Sequence, residues 1–170
     1  MSLPSKLKNF NLFVDGESYV GQVAEVTLPK LARKTEDYRG GGMNGPVASD
    51  LGMEKLEMKW TASGYIESLL AQWGKQTVSG VLLRFAGALQ ADDSAEVTSL
   101  EVTVRGKHTE LDFGKAEAGG KTEIQVSSAL SYYKLNLNGQ TIIEIDFVNM
   151  IEIVDGTDLM ADVRTALGLT

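Results

Sequence analysis

The chain has 170 residues, 16 basic and 23 acidic side chains, a net charge of −7 and no cysteine. Its length suits one domain with one core, the lack of thiols excludes disulfides, and the acidic balance argues against a protein that grips nucleic acid through clustered lysine and arginine. The chain contains no apolar run long enough to span a membrane and no apolar stretch typical of a signal peptide, so we expect it to be made and kept in the cytoplasm.

The first predicted element is a β-hairpin over residues 11–26. Leu12 and Val14 share one face of a strand, and Asp15-Gly16 is a turn signal. A second strand is predicted through Val20, Val23 and Val26. The high glycine content of the whole chain, 18 residues against three prolines, also favours a β-rich fold with many turns.

The next segment predicts an arm. Residues 30–39 are charged and irregular, and residues 40–46 are rich in glycine, so we expect a flexible or extended loop. Four apolar residues lie beside it: Leu51, Met53, Leu56 and Met58. They could meet a partner surface, or the hairpin could fold back on its own core; the residues leave both alternatives open.

A strand and a short helix are predicted after the arm. Leu56, Met58 and Trp60 alternate with charged residues, which is the period of a half-buried strand. Ser63 is the predicted cap of a helix that ends at Gly74. The apolar face of this helix comprises Ile66, Leu69, Leu70 and Trp73.

The second half of the chain predicts more strands and a final helix. Strands are expected over residues 81–89, 97–104, 123–137 and 141–148, and Asn138-Gly139 is a strong hairpin signal between the last two. Thr157 is the predicted cap of a helix that ends at Gly168. Its apolar side comprises Leu159, Met160, Val163, Ala166 and Leu167. Without a repeat or linker, residues 1–170 are expected to form a single domain.

Four features that could carry chemistry have simpler interpretations. Residues 40–45 match G-x-G-x-x-G but lack the strand before and the helix after that a dinucleotide site needs, and Gly120-Lys121-Thr122 lacks the rest of a P-loop. His108, the only histidine, is expected to be solvated, and Asp92-Asp93 lacks a third carboxylate at metal-ligand spacing. We therefore expect no enzyme, no metal and no cofactor.

Several short stretches together indicate a family. They are Asn11-Leu-Phe-Val-Asp-Gly16, Leu28-Pro-Lys-Leu31, Lys34-Thr-Glu-Asp-Tyr-Arg39, Gly41-Gly-Met43, Ser131-Tyr-Tyr-Lys-Leu135, Glu144-Ile-Asp146 and Val148-Asn149. In this order and spacing the chain resembles the major tail tube proteins of contractile-tailed phages and the tube subunits of R-type pyocins. The resemblance runs from about residue 9 to the final Leu-Gly-Leu.

The resemblance implies a mainly β (α+β) fold of two packed antiparallel β-sheets, sandwich-like or barrel-like, with a flanking helix and a short carboxyl-terminal helix. Six subunits would form a hexameric ring, and rings would stack into a tube. A hairpin arm at about residues 38–58 would reach an adjoining subunit. The implied interface residues of that arm are Tyr38, Arg39, Gly41, Gly42, Met43, Leu51 and Met53.

The implied function is structural: the tube conducts DNA, or perforates the cell envelope, after the surrounding sheath contracts. The implied partners are further copies, the tail sheath protein, baseplate and tail terminator proteins, and a tape-measure protein, with DNA passing through the lumen unbound and no stable membrane anchor. The protein would belong to a virion tail or tail-like particle assembled in the cytoplasm of the bacterial host. The candidate lumen residues are Glu57, Glu101, Glu144 and Asp146.

Three alternatives stay open. The tube could belong to a DNA-free bacteriocin rather than a phage, or to a secretion system. A ligand-binding β-sandwich, from a different functional class, would be a stable monomer with a concave aromatic site. The aromatic residues fit core positions of strands and helices better than such a site: Trp60, Trp73, Tyr132 and Tyr133.

Overall fold

The computed structural model describes residues 1–169. Within that range the chain forms twelve strands and two helices. In chain order they are β1 Lys6–Val14, β2 Glu17–Ser18, β3 Val23–Thr27, β4 Arg33–Tyr38, β5 Val47–Met53, β6 Leu56–Ser63, α1 Glu67–Ala71, β7 Val81–Gln90, β8 Val97–Asp112, β9 Glu123–Leu137, β10 Gln140–Asp146, β11 Ile151–Val154, β12 Thr157–Asp158 and α2 Ala161–Ala166.

The long strand β9 organises the larger of two antiparallel sheets in the described chain. β8 pairs along one edge of β9, whereas the other edge pairs first with β6 and then with β10. The order β12-β11-β10-β9-β8-β7-β1-β2 therefore branches at β9 to β6 and β3, and β4 and β5 form the second sheet alone. The mainly β fold class with two antiparallel sheets and two short helices is confirmed, and the large sheet does not close into a barrel.

The core lies on one face of the large sheet. In β7 the buried residues Val81, Leu83 and Phe85 alternate with half-buried ones, as the period of two requires. Trp60 of β6 packs on Tyr19, which follows β2, with ring centroids 6.0 Å apart, so the β2 end of the sheet approaches the β6 branch around the core. The predicted core positions of Trp60 and Tyr133 are thereby confirmed. Two other aromatic predictions fare differently: Tyr132 is half-buried and Trp73 is 53% exposed.

Turn chemistry fixes three hairpins. Asp15-Gly16, Asn138-Gly139 and Asp155-Gly156 all have positive φ at both residues, the geometry of a type I′ turn. The first two were predicted. The hairpin over residues 11–26 is wrong in its second half, however, because β2 is only two residues long and β3 pairs with β6 instead of β1.

Both predicted helix starts are wrong. Ser63 is the last residue of β6, and Thr157 lies in β12. The helices instead begin after Ile66 and Met160, and neither N-cap residue makes a side-chain capping bond. The predicted stop at Gly168 is confirmed, since this glycine directly follows the C-cap Leu167 and has a φ of 75°. The first helix ends earlier than predicted, at Ala71, and Gly74 has a φ of 90° in the turn that follows. Neither helix of residues 1–169 is long and apolar enough to cross a membrane.

His108 is buried, contrary to the expectation that it is solvated. Its Nδ1 lies 2.8 Å from Ser128 Oγ and its Nε2 lies 2.9 Å from Gln72 Oε1. Because an amide oxygen only accepts, Nε2 carries the proton, and the Ser128 hydroxyl donates to Nδ1. Gln72 also donates to the Asp15 carboxylate at 3.1 Å, as does Lys75 at 3.0 Å. This chain of polar groups fastens the segment after α1 to the sheet.

The burial of His108 predicts a stability that falls in mild acid. Burial is the main cause that lowers its pKa to about 4, and Lys75 lowers it further, whereas Asp15 opposes the shift. In the unfolded chain His108 binds a proton near pH 6.5, whereas in the folded chain it stays neutral down to about pH 4. The free energy of unfolding is therefore highest above about pH 6.5 and declines toward pH 4. The difference amounts to about 3 kcal/mol at the acid end, from about 1.4 kcal/mol for each pKa unit.

Urea unfolding at a series of pH values between about 4 and 7 checks this expectation. His108→Gln is the matched control because glutamine does not titrate, and its stability should change much less over the same range. An equal decline in both proteins would mean that other groups cause the acid sensitivity.

Candidate functional site

The predicted arm is a projecting β-hairpin. Every residue of β4 is exposed. The expectation that residues 30–39 are irregular is wrong, because Arg33–Tyr38 pairs with β5 and forms a strand. Tyr38 lies opposite Val47, and Leu51 lies on the same face two positions beyond Ser49. Tyr38, Val47 and Leu51 are 64%, 57% and 54% exposed, and together they form what we term the arm face.

The arm is shorter than predicted at its carboxyl-terminal end. Residues 54 and 55 separate β5 from β6, and Leu56 and Met58 of β6 are fully buried in the core. For these two residues the alternative of packing on their own core is confirmed. Leu51 stays exposed and Met53 is partly buried against the core at the base of the arm.

The glycine-rich tip is an ordered turn. The Arg39 Nε donates to the Met43 carbonyl at 3.2 Å, and the Gly40 amide lies 3.0 Å from the Met43 sulfur. Gly42 has a φ of +85°, which accounts for glycine at that position. The tip therefore presents a formed shape between two strands, and residues 40–45 lack the strand-to-helix context of a dinucleotide site.

An ion pair fixes the base of the arm. Arg33 of β4 pairs with Glu152 of β11, and its Nε lies 3.6 Å from Asp50. The Glu152 residue is only 8% exposed, so loss of Arg33 would leave a buried carboxylate without its partner. A backbone bond from Glu54 to Ala32, 2.8 Å long, closes the same base. These contacts attach the base of the arm to the large sheet.

The structure places the seven predicted interface residues along the whole arm. Five lie at the tip or its edge, Leu51 lies on the arm face, and Met53 lies at the base. Two residues were missed, Val47 and Arg33. The alternation of Val47, Ser49 and Leu51 in the sequence was a signal for the first, whereas nothing near Arg33 in sequence indicates Glu152.

The four candidate lumen carboxylates lie on the side of the large sheet away from the core, which we term the outer face. Glu57, Glu101 and Glu144 each stand next to a buried apolar residue of the same strand, so their side chains point outward. Glu57 lies opposite Ala129 of β9 and Glu144 opposite Lys134. Five positions of β9 separate those sites, about 17 Å along the strand, so the carboxylates do not form one cluster.

Basic and aromatic groups accompany the carboxylates. Arg84 lies 3.5 Å from Glu101 and its guanidinium stacks over the Phe13 ring at 4.0 Å. Burial, followed by the negative charge of Glu144, raises the pKa of Tyr132. The outer face near β8 to β10 therefore alternates in charge and is not uniformly acidic.

The Asp146 side chain makes its hydrogen bonds within the turn that follows β10. Its Oδ1 accepts from the amides of Val148 and Asn149 at 3.0 and 3.2 Å, and its Oδ2 accepts from the Asn149 side chain at 2.7 Å. The turn ends at Met150, whose φ of +53° is unusual for a residue that is neither glycine nor asparagine. That conformation costs on the order of 1 kcal/mol. Arg164 of α2 stabilises it by donating to the Met150 carbonyl at 2.8 Å.

An apolar cavity of about 300 Å³ lies between the base of the arm and this turn. We term it the base pocket. Its apolar lining comprises Met53, Ile145, Phe147, Met150, Ile151 and Met160. Beside it, α2 buries none of its residues, and Val163 and Leu167 are 43% and 60% exposed. Apart from Met160, which lines the pocket, the apolar side predicted for this helix thus stays exposed within the described chain.

Comparison with known proteins gives full-length matches. The sequence model of the phage tail tube protein FII family matches residues 4–168 of this chain. The tail tube protein of Escherichia phage P2 is 42% identical over 172 residues, covering 99% of this chain and 100% of the relative. The major tail tube protein of Serratia phage KSP20 is 40% identical over 172 residues, covering 99% of each chain.

Solved structures share the fold at low identity. The sheath/tube terminator of the extracellular contractile injection system PVC in its extended state has a TM-score of 0.60 at 13% identity, covering 78% of this chain and 96% of that one. The PVC sheath-tube complex gives 0.59 at 13%, covering 78% and 91%. The tube-terminating cap of the anti-feeding prophage gives 0.60 at 12%, covering 80% and 93%. At such identity the likeness concerns the fold alone.

Proposed function

Because the chain belongs to the phage tail tube protein FII family, we propose that six copies close into a ring and that rings stack into a hollow tube. The chain is a structural subunit of a contractile tail or tail-like particle. Cyclic contacts between unlike surfaces close a ring, and the same kind of contact repeated along an axis gives a filament. The family is structural, and we propose that this chain catalyses no reaction.

The exposed, projecting arm is the structural feature that best supports this proposal. It pairs only with itself, and an isolated two-stranded hairpin is marginally stable in water. The arm face exposes Tyr38, Val47 and Leu51, and covering them in an assembly would stabilise both the hairpin and the contact. We therefore assign the arm, from Arg33 to Met53, to contacts between subunits.

We further propose that the outer face contributes to the lumen. Glu57, Glu101, Glu144 and Asp146 remain the candidates, and nearby basic side chains such as Arg84 and Lys134 compensate part of their charge. A wall of mixed charge with an acidic excess over the whole chain would hold no phosphate backbone tightly, so DNA could pass without binding. Conduction without affinity is the proposed mechanism.

The proposed partners outside the tube follow the solved relatives. Their names place such folds with a sheath and a terminating cap, and we propose a sheath protein, baseplate and terminator proteins for this chain as well. A tape-measure protein inside the growing tube completes the set. The relatives at 40% identity or more are phage proteins, which favours a DNA-conducting phage tail over a secretion tube.

Solution mass measured against concentration, with negative-stain electron microscopy of the same samples, tests the assembly. We expect monomers when dilute and hollow rods of uniform width when concentrated. A strict monomer at every concentration, also in the presence of preformed baseplates, would reject self-assembly and favour the ligand-binding alternative.

A further inference from the structure

The subunit exposes two apolar surfaces that have no cover within residues 1–169. One is the arm face, and the other surrounds the base pocket, where Phe147 and Val148 of the turn are 39% and 65% exposed. The arm face lies outside the core cluster, whereas the pocket meets the core at Ile145 and Met53. In a polymer built from one kind of chain, each contact between unlike surfaces needs two such patches on every copy. The two surfaces are therefore candidates for each other.

We propose that the base pocket of one copy binds the arm face of another copy. This inference rests on the proposed function, because it names the site that receives the arm in the tube. The occupant is the arm face, with Tyr38, Val47 and Leu51, and it enters a cavity of about 300 Å³. Isoleucine, methionine and phenylalanine side chains form the apolar part of the lining, and charged residues complete it: Arg33, Glu54, Lys55, Asp146 and Glu152. Methionines suit this role because their flexible thioethers adapt to an incoming surface.

An arm cannot fill the pocket of its own subunit. Arg33, Gly52 and Met53 at the base of the arm line that pocket, whereas no residue of the arm face does. From Arg33 to Tyr38 the strand extends about 17 Å. The bulge opposite Lys34 and the Arg33–Glu152 pair hold the direction of the hairpin. The apolar residues near the tip are thus placed to meet a second copy.

The turn beside the pocket is held in an unfavourable conformation. Met150 keeps a positive φ because Arg164 donates to its carbonyl and Asp146 accepts from the amides of the two preceding residues, Val148 and Asn149. Its side chain lines the pocket. Strained residues that persist through such support are typical of binding sites. The strain fits a turn that is shaped for contact and not for the stability of the monomer.

Charge also favours a second copy as the occupant. The whole chain carries −7, so copies repel one another. The arm from 33 to 53 has three basic residues, Arg33, Lys34 and Arg39, and three acidic residues, Glu36, Asp37 and Asp50, so its net charge is zero. A neutral arm is the part of an acidic subunit that can approach another acidic subunit with least repulsion.

Cross-linking tests the contact directly because the chain has no native cysteine. Val47→Cys combined with Phe147→Cys places one thiol on the arm face and one at the pocket. A short bis-maleimide added to assembled tubes should link successive chains into a ladder on a denaturing gel. The matched control combines Val47→Cys with Ala95→Cys, an exposed position in the loop between β7 and β8, and should give no ladder.

A second variant separates the contact from folding. Met150→Gly removes the side chain from the pocket and suits the positive φ, so the melting temperature of the monomer should stay equal or rise. The concentration needed for tubes should rise at least about ten-fold, the change expected for one lost apolar contact. Tubes of the Val47→Cys, Phe147→Cys variant that give no ladder, together with normal assembly of Met150→Gly, would overturn the proposal and leave the tube function intact.

Two other outcomes would also reject it. If the wild-type chain never assembles, both the proposed function and this contact are rejected. Saturable binding of an apolar dye in the pocket, equal in monomers and tubes, would mean that the pocket stays open after assembly and receives a small molecule instead of an arm.

Discussion

Replacing residues 34–52 by Asn-Gly is expected to abolish tubes and leave a folded monomer. Arg33 and Met53 are direct cross-strand partners, so a two-residue type I′ turn can join them. The deletion keeps the Arg33–Glu152 pair and the contact of Met53 with the core. Because the removed residues contribute nothing to the core cluster, the melting temperature should change by no more than about 3 °C, which is roughly 1 kcal/mol for this length.

Circular dichroism, thermal unfolding and sedimentation together measure this result. A finer pair of variants separates the two faces of the arm. Tyr38→Ser with Val47→Ser removes a cross-strand pair of the arm face, whereas Asp37→Ser with Ala48→Ser changes the adjacent pair on the opposite face. Only the first pair should raise the concentration needed for tubes. Normal tubes from the deletion variant would reject the role of the arm.

We expect Gly106→Ala to destabilise the fold more than any other addition of a single methyl group. At Gly106 of β8 a Cβ would lie 2.0 Å from the carbonyl oxygen of Ala129 and 2.9 Å from its carbonyl carbon. The register of β8 and β9 shifts at this point, so the two backbones approach unusually closely. The strands would have to separate inside the sheet, at a cost of about 3 kcal/mol or more.

Urea unfolding of the purified variant measures the loss, and poor recovery of folded protein is the extreme form of the same outcome. Gly87→Ala is the matched control, a second buried glycine in a neighbouring strand. Its Cβ would meet only side-chain atoms, Leu7 Cδ1 at 2.7 Å and Phe85 Cε1 at 3.0 Å, which can move aside. Its cost should stay near about 1 kcal/mol. Equal stability of the two variants would contradict the close approach at Gly106.

Local signals predicted the strands of the core well. Residues 123–137 form β9 as predicted, and the period of two placed Leu56, Met58 and Trp60 on the buried side of β6. Asn-Gly and Asp-Gly turns require positive φ, which these residues tolerate, so such dipeptides report hairpins directly. The third of them, Asp155-Gly156, was overlooked because the apolar spacing after it favoured a helix starting at Thr157.

Other features depend on contacts that no short segment contains. Lys34 to Tyr38 is charged and has little intrinsic strand preference, yet it becomes β4 because β5 supplies its hydrogen bonds. His108 is flanked by polar residues and is buried only because Gln72 and Ser128 meet it from distant segments. Val23–Thr27 has a strand pattern whichever partner it takes, so the pattern cannot tell β1 from β6.

The candidate site, too, could be predicted from the sequence only in part. Glycines at the tip and apolar residues beside them indicated an arm, and the resemblance to tail tube proteins supplied its role. The base of the arm and the base pocket join residues 33–55 to residues 145–160, and no sequence pattern links those two segments. The strained Met150 could not be foreseen either, since methionine gives no signal for positive φ.

Electron cryomicroscopy of the assembled protein is the most direct test of the central claim that copies of this chain build a tube. We expect stacked six-fold rings around an open lumen, with the arm of each subunit, from Arg33 to Met53, in contact with another copy. A solid filament, or rings in which the arms point freely into solvent, would contradict it.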